Sequence, residues 1–158
     1  MERIKSLERI PTSDKFLLSK ADTEVFLYSE LKNIQDIDEL LLRGSAIILY
    51  EKTRGDIGHW VCLTKRNNTI EYFDSYGRPP DPIKYLHGKR PYLSKLLFYS
   101  DYDLEYNEHN YQKAGMSTCG RHCIIRVLLK DEPLENYNKI MMAHGDPDEL
   151  VTILSDII

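Results

Sequence analysis

Cys119 lies in the stretch KAGMSTCGRHC (113–123), four residues before Cys123 and directly before a glycine. Three chemistries fit those residue types at that spacing: a thiol nucleophile, one arm of a metal site, or a small apolar residue opening a buried helix. A thiol becomes a strong nucleophile when it ionises, and the unpaired N–H groups and positive dipole end of a helix start favour the thiolate. Thr118 is a residue type that caps helices, which would put Cys119 in the first turn. Gly120 would leave room for a substrate backbone, and Cys123, one turn deeper on the same face, reads as core. The metal reading would recruit Cys119, Cys123, His122 and His59. A Cys-x3-Cys pair on one helix fits tetrahedral zinc poorly, and no second ligand pair is evident.

A cysteine nucleophile needs a base, and the base needs an orienting acid. The chain has five histidines. His122 adjoins the helix start, His109 lies in a polar stretch, and His87 and His144 adjoin glycines; all four read as surface residues. His59 differs, because it opens the β-rich run GHWVCLTK (58–65) just before the single tryptophan, Trp60. The next β-rich run, TIEYFD (69–74), ends in the segment FDSYG. If the two runs form a hairpin, the start of the first lies opposite the end of the second. Asp74 then arrives beside His59, where a carboxylate orients an imidazole. A histidine at a strand edge and a turn-initiating aspartate remain the plainer alternatives for each residue taken singly.

Attack on a carbonyl also needs donors for the oxyanion, and losing one aimed donor typically costs about 10² to 10³ in rate. The backbone N–H of Cys119 is one such donor. Gln112, seven residues upstream, is a neutral amide at the far end of the short loop that returns to the helix start. A solvated loop glutamine is the alternative.

The elements that must position these residues are legible in part. SKADTEVFLYSELKN (19–33) spaces Val25, Leu27, Tyr28 and Leu31 along one face and predicts a helix. DIDELLLRG (36–44) predicts another, with Asp36 as cap and Gly44 as stop. SAIILY (45–50), 58–65 and 69–74 predict strands, and RNN between the last two a tight turn. DLEYN (103–107) predicts a further strand. From Cys119 onward Cys123, Ile124, Val127 and Leu128 would face the core, and DPDELVTILSDII (146–158) predicts a closing helix with Asp146 as cap, Pro147 at its first position and Glu149 completing a capping box. The order is an α+β domain: a small, mostly antiparallel central sheet flanked by helices. It reads as one domain over 1–158, with a helical part at 1–44, a core at 45–130 and C-terminal helices at 131–158.

Composition bounds the partners. The 158 residues are 29% charged and 42% hydrophobic, an ordinary globular balance. The longest apolar runs, such as AIILY and CIIRVLL, are too short to span a bilayer. MERIKSLERIPTSDK has no apolar core of signal-peptide length, which sets the expectation of no secretion. Three cysteines give no disulfide framework and point to a reducing compartment. The net charge of −4 speaks against a general nucleic-acid surface. KYLHGKRPYLSK (84–95) is the local exception, a small basic patch or, more plainly, a solvated helix and loop.

GHW, then FDSYG, then Gln seven before Cys-Gly, in the order His, Asp, Gln, Cys, resembles the adenain family of adenovirus maturation proteases. More distantly the pattern resembles the SUMO-specific and related ubiquitin-like-protein proteases. The wording ILYE…GHWVCL…IEYFDSYGRPPD…TCGRHCIIR is most similar to adenain-like proteases of large DNA viruses, virophages and related mobile elements, over roughly residues 45–130. The resemblance implies a cysteine protease of that fold, with His59 as general base, Asp74 as its orienting acid, Gln112 as oxyanion donor and Cys119 as nucleophile. Trp60, Gly120 and Thr118 would line the substrate cleft. It implies no cofactor and no metal, a monomer, and a protein substrate such as capsid or scaffold precursors cut at Gly- or Ala-containing sites. The host-cell cytoplasm and the virion are the expected locations. A protease removing SUMO or ubiquitin from host proteins is the alternative.

The departures favour the viral branch. SUMO proteases usually carry Asp immediately before the nucleophile, where this chain has Thr118, and their Gln is one residue closer to it. The adenovirus enzyme has Glu where this chain has Asp74. Adenain is also stimulated by DNA and by a disulfide-joined viral peptide. The acidic net charge speaks against the first, and Cys62, in a predicted core strand, is no match for the second.

Overall fold

Strand β3 (His59–Arg66) is the middle of a five-stranded sheet, and its first six residues are buried. A strand covered on both faces is apolar throughout rather than alternating, which is why WVCL reads as a continuous run. The computed structural model describes residues 2–9, 11–51, 58–86 and 90–158. The strands stand side by side in chain order: β1 (Glu24–Leu27), β2 (Ser45–Tyr50), β3, β4 (Thr69–Phe73) and β5 (Asp103–Tyr106). β2, β3 and β4 are antiparallel, while β1 runs parallel to β2 and β5 parallel to β4. The RNN turn is tight, with Asn67 at φ 54°.

Alternate residues of β3 face two cores. Val61 and Leu63 join Ile48, Tyr50 and Tyr72 beneath α3 (Ile37–Leu40), α4 (Ile83–Leu86) and α5 (Tyr92–Phe98). Trp60 and Cys62 join Ile47 and Phe73 beneath α2 (Asp14–Lys20), α6 (Cys119–Leu128), α7 (Leu134–His144) and α8 (Pro147–Ile157). A short helix, α1 (Glu2–Leu7), precedes them. The α+β reading with a sheet flanked by helices describes this architecture.

Four local expectations are corrected. Residues 19–33 are not one helix: α2 ends at Lys20, β1 follows, and Tyr28–Asn33 is a 3-10 turn. Val25 packs towards the second core and Phe26 towards the first, a strand's two-residue period. Pairing with β2 outweighs a weak helical pattern, because propensity yields readily to tertiary context. Leu128 is 46% exposed, because α6 is already enclosed by the sheet, α2 and α8 along 119–127 and its last residue emerges. In α8, Asp146 caps through the Glu149 N–H as expected, but the Glu149 carboxylate reaches Lys5 and His144 rather than back to the cap. The predicted helix at 36–44 is a single turn, capped by Asp36.

Candidate functional site

The β3–β4 register pairs Cys62 with Phe73, and continuing it brings Tyr76 opposite His59. His59 and Asp74 are therefore diagonal neighbours, and the imidazole Nε2 lies 2.7 Å from Asp74 Oδ1. Both side chains are buried. Asp74 Oδ1 also accepts the Tyr76 N–H, while Oδ2 meets no partner among the described residues. Asn107, just past β5, accepts from the Asp74 N–H and donates to the Asp74 and His109 carbonyls. The imidazole is held between two phenol rings: Tyr76 at 5.1 Å and Tyr85 at 5.9 Å, both stacked. Gly58 fixes the strand's entry, since a Cβ there would lie 2.0 Å from the Tyr50 carbonyl oxygen.

Burial pulls the His59 pKa down, but the Asp74 hydrogen bond and the adjacent Cys119 sulfur outweigh it and hold it at about 9. With Nε2 taken by Asp74, Nδ1 is the nitrogen left for the sulfur. The Trp60 backbone N–H donates to that sulfur, 3.4 Å away. A thiolate thus has a donor, a cation and the tip of α6 around it.

Cys119 opens α6 as expected, but its neighbours behave otherwise than the sequence suggests. Thr118 occupies the cap position without a side-chain capping bond; its hydroxyl donates to Asp148 Oδ1 at 2.6 Å. The space beside Gly120 is taken by Thr12. A Cβ there would come within 2.6 Å of Thr12 Cβ, because residues 11–13 cross the tip of α6. The Trp60 indole N–H donates to the Thr12 carbonyl, which ties this N-terminal strap to β3, and the Ser117 N–H donates to the Glu8 carbonyl. Trp60 is buried beneath it and forms a wall of the cleft.

Gln112 reaches the same cleft. Its Oε1 accepts the Ser75 hydroxyl at 2.6 Å, and its Nε2 donates to the Met116 carbonyl at 2.7 Å. An amide nitrogen carries two hydrogens, so one is left over. His59, Trp60, Gln112 and Cys119 line one cavity of about 250 Å³ together with Thr12, Tyr76, Arg78 and Lys84. A second hollow of about 490 Å³ shares Thr12, Gly58 and Trp60 and runs towards Val25 and Leu49.

His109 and His144 are exposed as expected. His122 is not: it is fully buried, with Nε2 2.9 Å from Asp148 Oδ1. His87 and positions 88–89 of the basic stretch lie outside the described residues. Among the described residues no group of three His, Cys, Asp or Glu is placed to hold a metal ion, and all three cysteines are free thiols. Ser75, Tyr76, Asn107 and Asp148 are the polar contacts that sequence reasoning did not assign. Two of them stand inside FDSYG, next to Asp74, and adjacency to that motif was the available signal.

Uncharacterized protein V9 of Sputnik virophage is 36% identical to this chain over 174 aligned positions, covering 98% of this chain and 99% of that protein. The chain belongs to the V9 family. No family model matches it. Similarity to solved structures is weaker for this V9-family chain. SUMO protease Ulp1, with its catalytic cysteine oxidised to a sulfenic acid, is 18% identical at a TM-score of 0.48, covering 96% of this chain and 79% of that one. The ASFV pS273R protease is 14% identical at a TM-score of 0.46, covering 85% and 60%.

Proposed function

We propose that this protein is a cysteine endopeptidase that matures viral capsid or scaffold precursors at Gly- or Ala-containing sites. The observation that carries the reading is the sulfur of Cys119 at the tip of α6, beside an imidazole that Asp74 holds by a 2.7 Å hydrogen bond. The two hollows that meet at Trp60 suit an extended chain. Small side chains next to the cut are what the resemblance to the adenain-like proteases implies. A full-length relative in a virophage supports the viral setting. Synthesis in the host cytoplasm and packaging in the virion follow from that setting.

In this reaction the Cys119 thiolate attacks the scissile carbonyl, forming a C–S bond and a tetrahedral oxyanion. The Cys119 N–H and the second Gln112 Nε2 hydrogen stabilise that charge. The His59 imidazolium gives its proton to the departing amine as the C–N bond breaks, leaving a thioester and neutral imidazole. His59 then takes a proton from water, the hydroxide adds to the thioester, and the acid product leaves as thiolate and imidazolium re-form. Asp74 holds the imidazole orientation throughout.

The test is incubation of the purified protein with the capsid precursors encoded beside it, followed by mapping of new N-termini. Wild-type protein is expected to cut after or between small residues, and a folded Cys119→Ala variant to leave the precursors intact. Cleavage by that variant would end the assignment. Labelling by SUMO- or ubiquitin-based active-site probes, with precursors untouched, would move the substrate to a host modifier.

A further inference from the structure

Asp148 belongs to the first turn of α8, yet its carboxylate is directed at the segment that carries the nucleophile. Oδ1 accepts the Thr118 hydroxyl at 2.6 Å and lies 2.9 Å from His122 Nε2, and Oδ2 accepts the Lys113 backbone N–H at 2.9 Å. Asp148 is 1% exposed, and Thr118 and His122 are fully buried. Burial works against the charge on this carboxylate, but bonds from His122 and Thr118 outweigh it and hold its pKa below the ordinary range.

The three partners are chosen by position. Lys113 follows Gln112, Thr118 precedes Cys119, and His122 lies one turn further along α6. The loop 113–118 separates the Gln112 amide from the Cys119 sulfur, and both its ends meet on one carboxylate. Capping α8 does not require this arrangement, because Asp146 already caps that helix. Nor does it cap α6. Thr118 stands where a cap residue would turn its oxygen onto the first-turn N–H groups, and Asp148 takes its hydroxyl instead. Those N–H groups take no side-chain cap from Thr118 at the helix tip, where negative charge develops.

We propose that Asp148 is a positioning residue: by binding Thr118, His122 and the Lys113 N–H together, it fixes the Cys119 sulfur relative to the Gln112 amide and keeps the Thr118 hydroxyl off the first turn of α6. This rests on Cys119 being the nucleophile. An amide in place of the carboxylate has one acceptor oxygen where the site uses two.

The experiment compares wild type with Asp148→Asn, Thr118→Val and Thr118→Ser in the full chain, each checked for native circular dichroism. Two rates are read: peptide hydrolysis, split into kcat and KM, and alkylation of Cys119 by iodoacetamide, mapped by mass spectrometry. Cys62 and Cys123 are fully buried and serve as internal unreactive thiols. Asp148→Asn and Thr118→Val are expected to lower kcat by about 10- to 100-fold, the range expected for a small displacement of reacting groups, with KM little changed. Alkylation slows in the same variants, and Thr118→Ser, which keeps the hydroxyl, recovers most of the loss. If Asp148→Asn does not fold, Thr118→Val carries the test. Folded variants with wild-type kcat and alkylation, or losses matching only the unfolded fraction, overturn the proposal. A wild-type protein that hydrolyses nothing would overturn the protease reading instead, and the alkylation rates would still decide the role of Asp148.

Discussion

His59 is the residue whose charge the fold biases most usefully. Its pKa rises from an unfolded value of about 6.5 to about 9, since the carboxylate and sulfur outweigh burial. A raised pKa means the folded state binds the proton more tightly. Its contribution to stability, on the order of 3 kcal/mol, is full below about pH 6.5 and is lost as pH rises through about 9. Urea midpoints measured from pH 6 to 9.5 should therefore fall with rising pH, and fall less in Cys119→Ala, where the sulfur is gone. An NMR titration of the same variant should show the His59 pKa below that of wild type; equal values would remove the sulfur from the account. Of the side chains in this cluster, His59 and Asp74 were legible from hairpin register, while the places of Gln112 and Cys119 came from the motif order that the resemblance supplies. His122 and Asp148 were not. Each is a polar type that defaults to the surface, and their meeting depends on how α8 docks on α6, which no local pattern encodes.

Among the elements, the hairpin β3–β4 and helix α6 were readable, because period and turn chemistry agree with their tertiary setting. β1 was misread as helix, since a four-residue edge strand gains its identity from pairing with β2 rather than from its own pattern. The N-terminal strap was missed altogether. Its contact with Gly120 is steric, and glycine beside a cysteine reads equally well as space for substrate. Gly120→Ala sets a methyl group against Thr12 and should destabilise by about 1–3 kcal/mol, the usual cost of overpacking. Thr12→Gly in the same chain should relieve part of that loss. A double-mutant cycle by urea unfolding checks it, and strictly additive effects would mean that the two positions do not touch.

Across the whole molecule, the two cores are joined at the sheet, and one buried ion pair ties α6 to it. The Arg126 guanidinium holds both Glu71 oxygens at 2.7 and 2.8 Å, and also donates to the Leu129 and Glu132 carbonyls. Removing one partner strands a buried charge. Glu71→Ala is expected to cost about 3–5 kcal/mol, measured by urea unfolding, and a loss below about 1 kcal/mol would mark the pair as dispensable. The overall class was legible from the succession of β-rich runs and capped helices. The two-faced burial of the sheet was only implied, by apolar runs too continuous for a half-exposed hairpin.

The single tryptophan has a practical consequence. Its indole is enclosed where the strap crosses the cleft, with its N–H committed to the Thr12 carbonyl. Fluorescence excited at the indole band therefore comes from one known place. Undocking of residues 11–13 would admit water to that ring and move its emission to the red, so the protein carries its own optical gauge of whether the cleft is roofed.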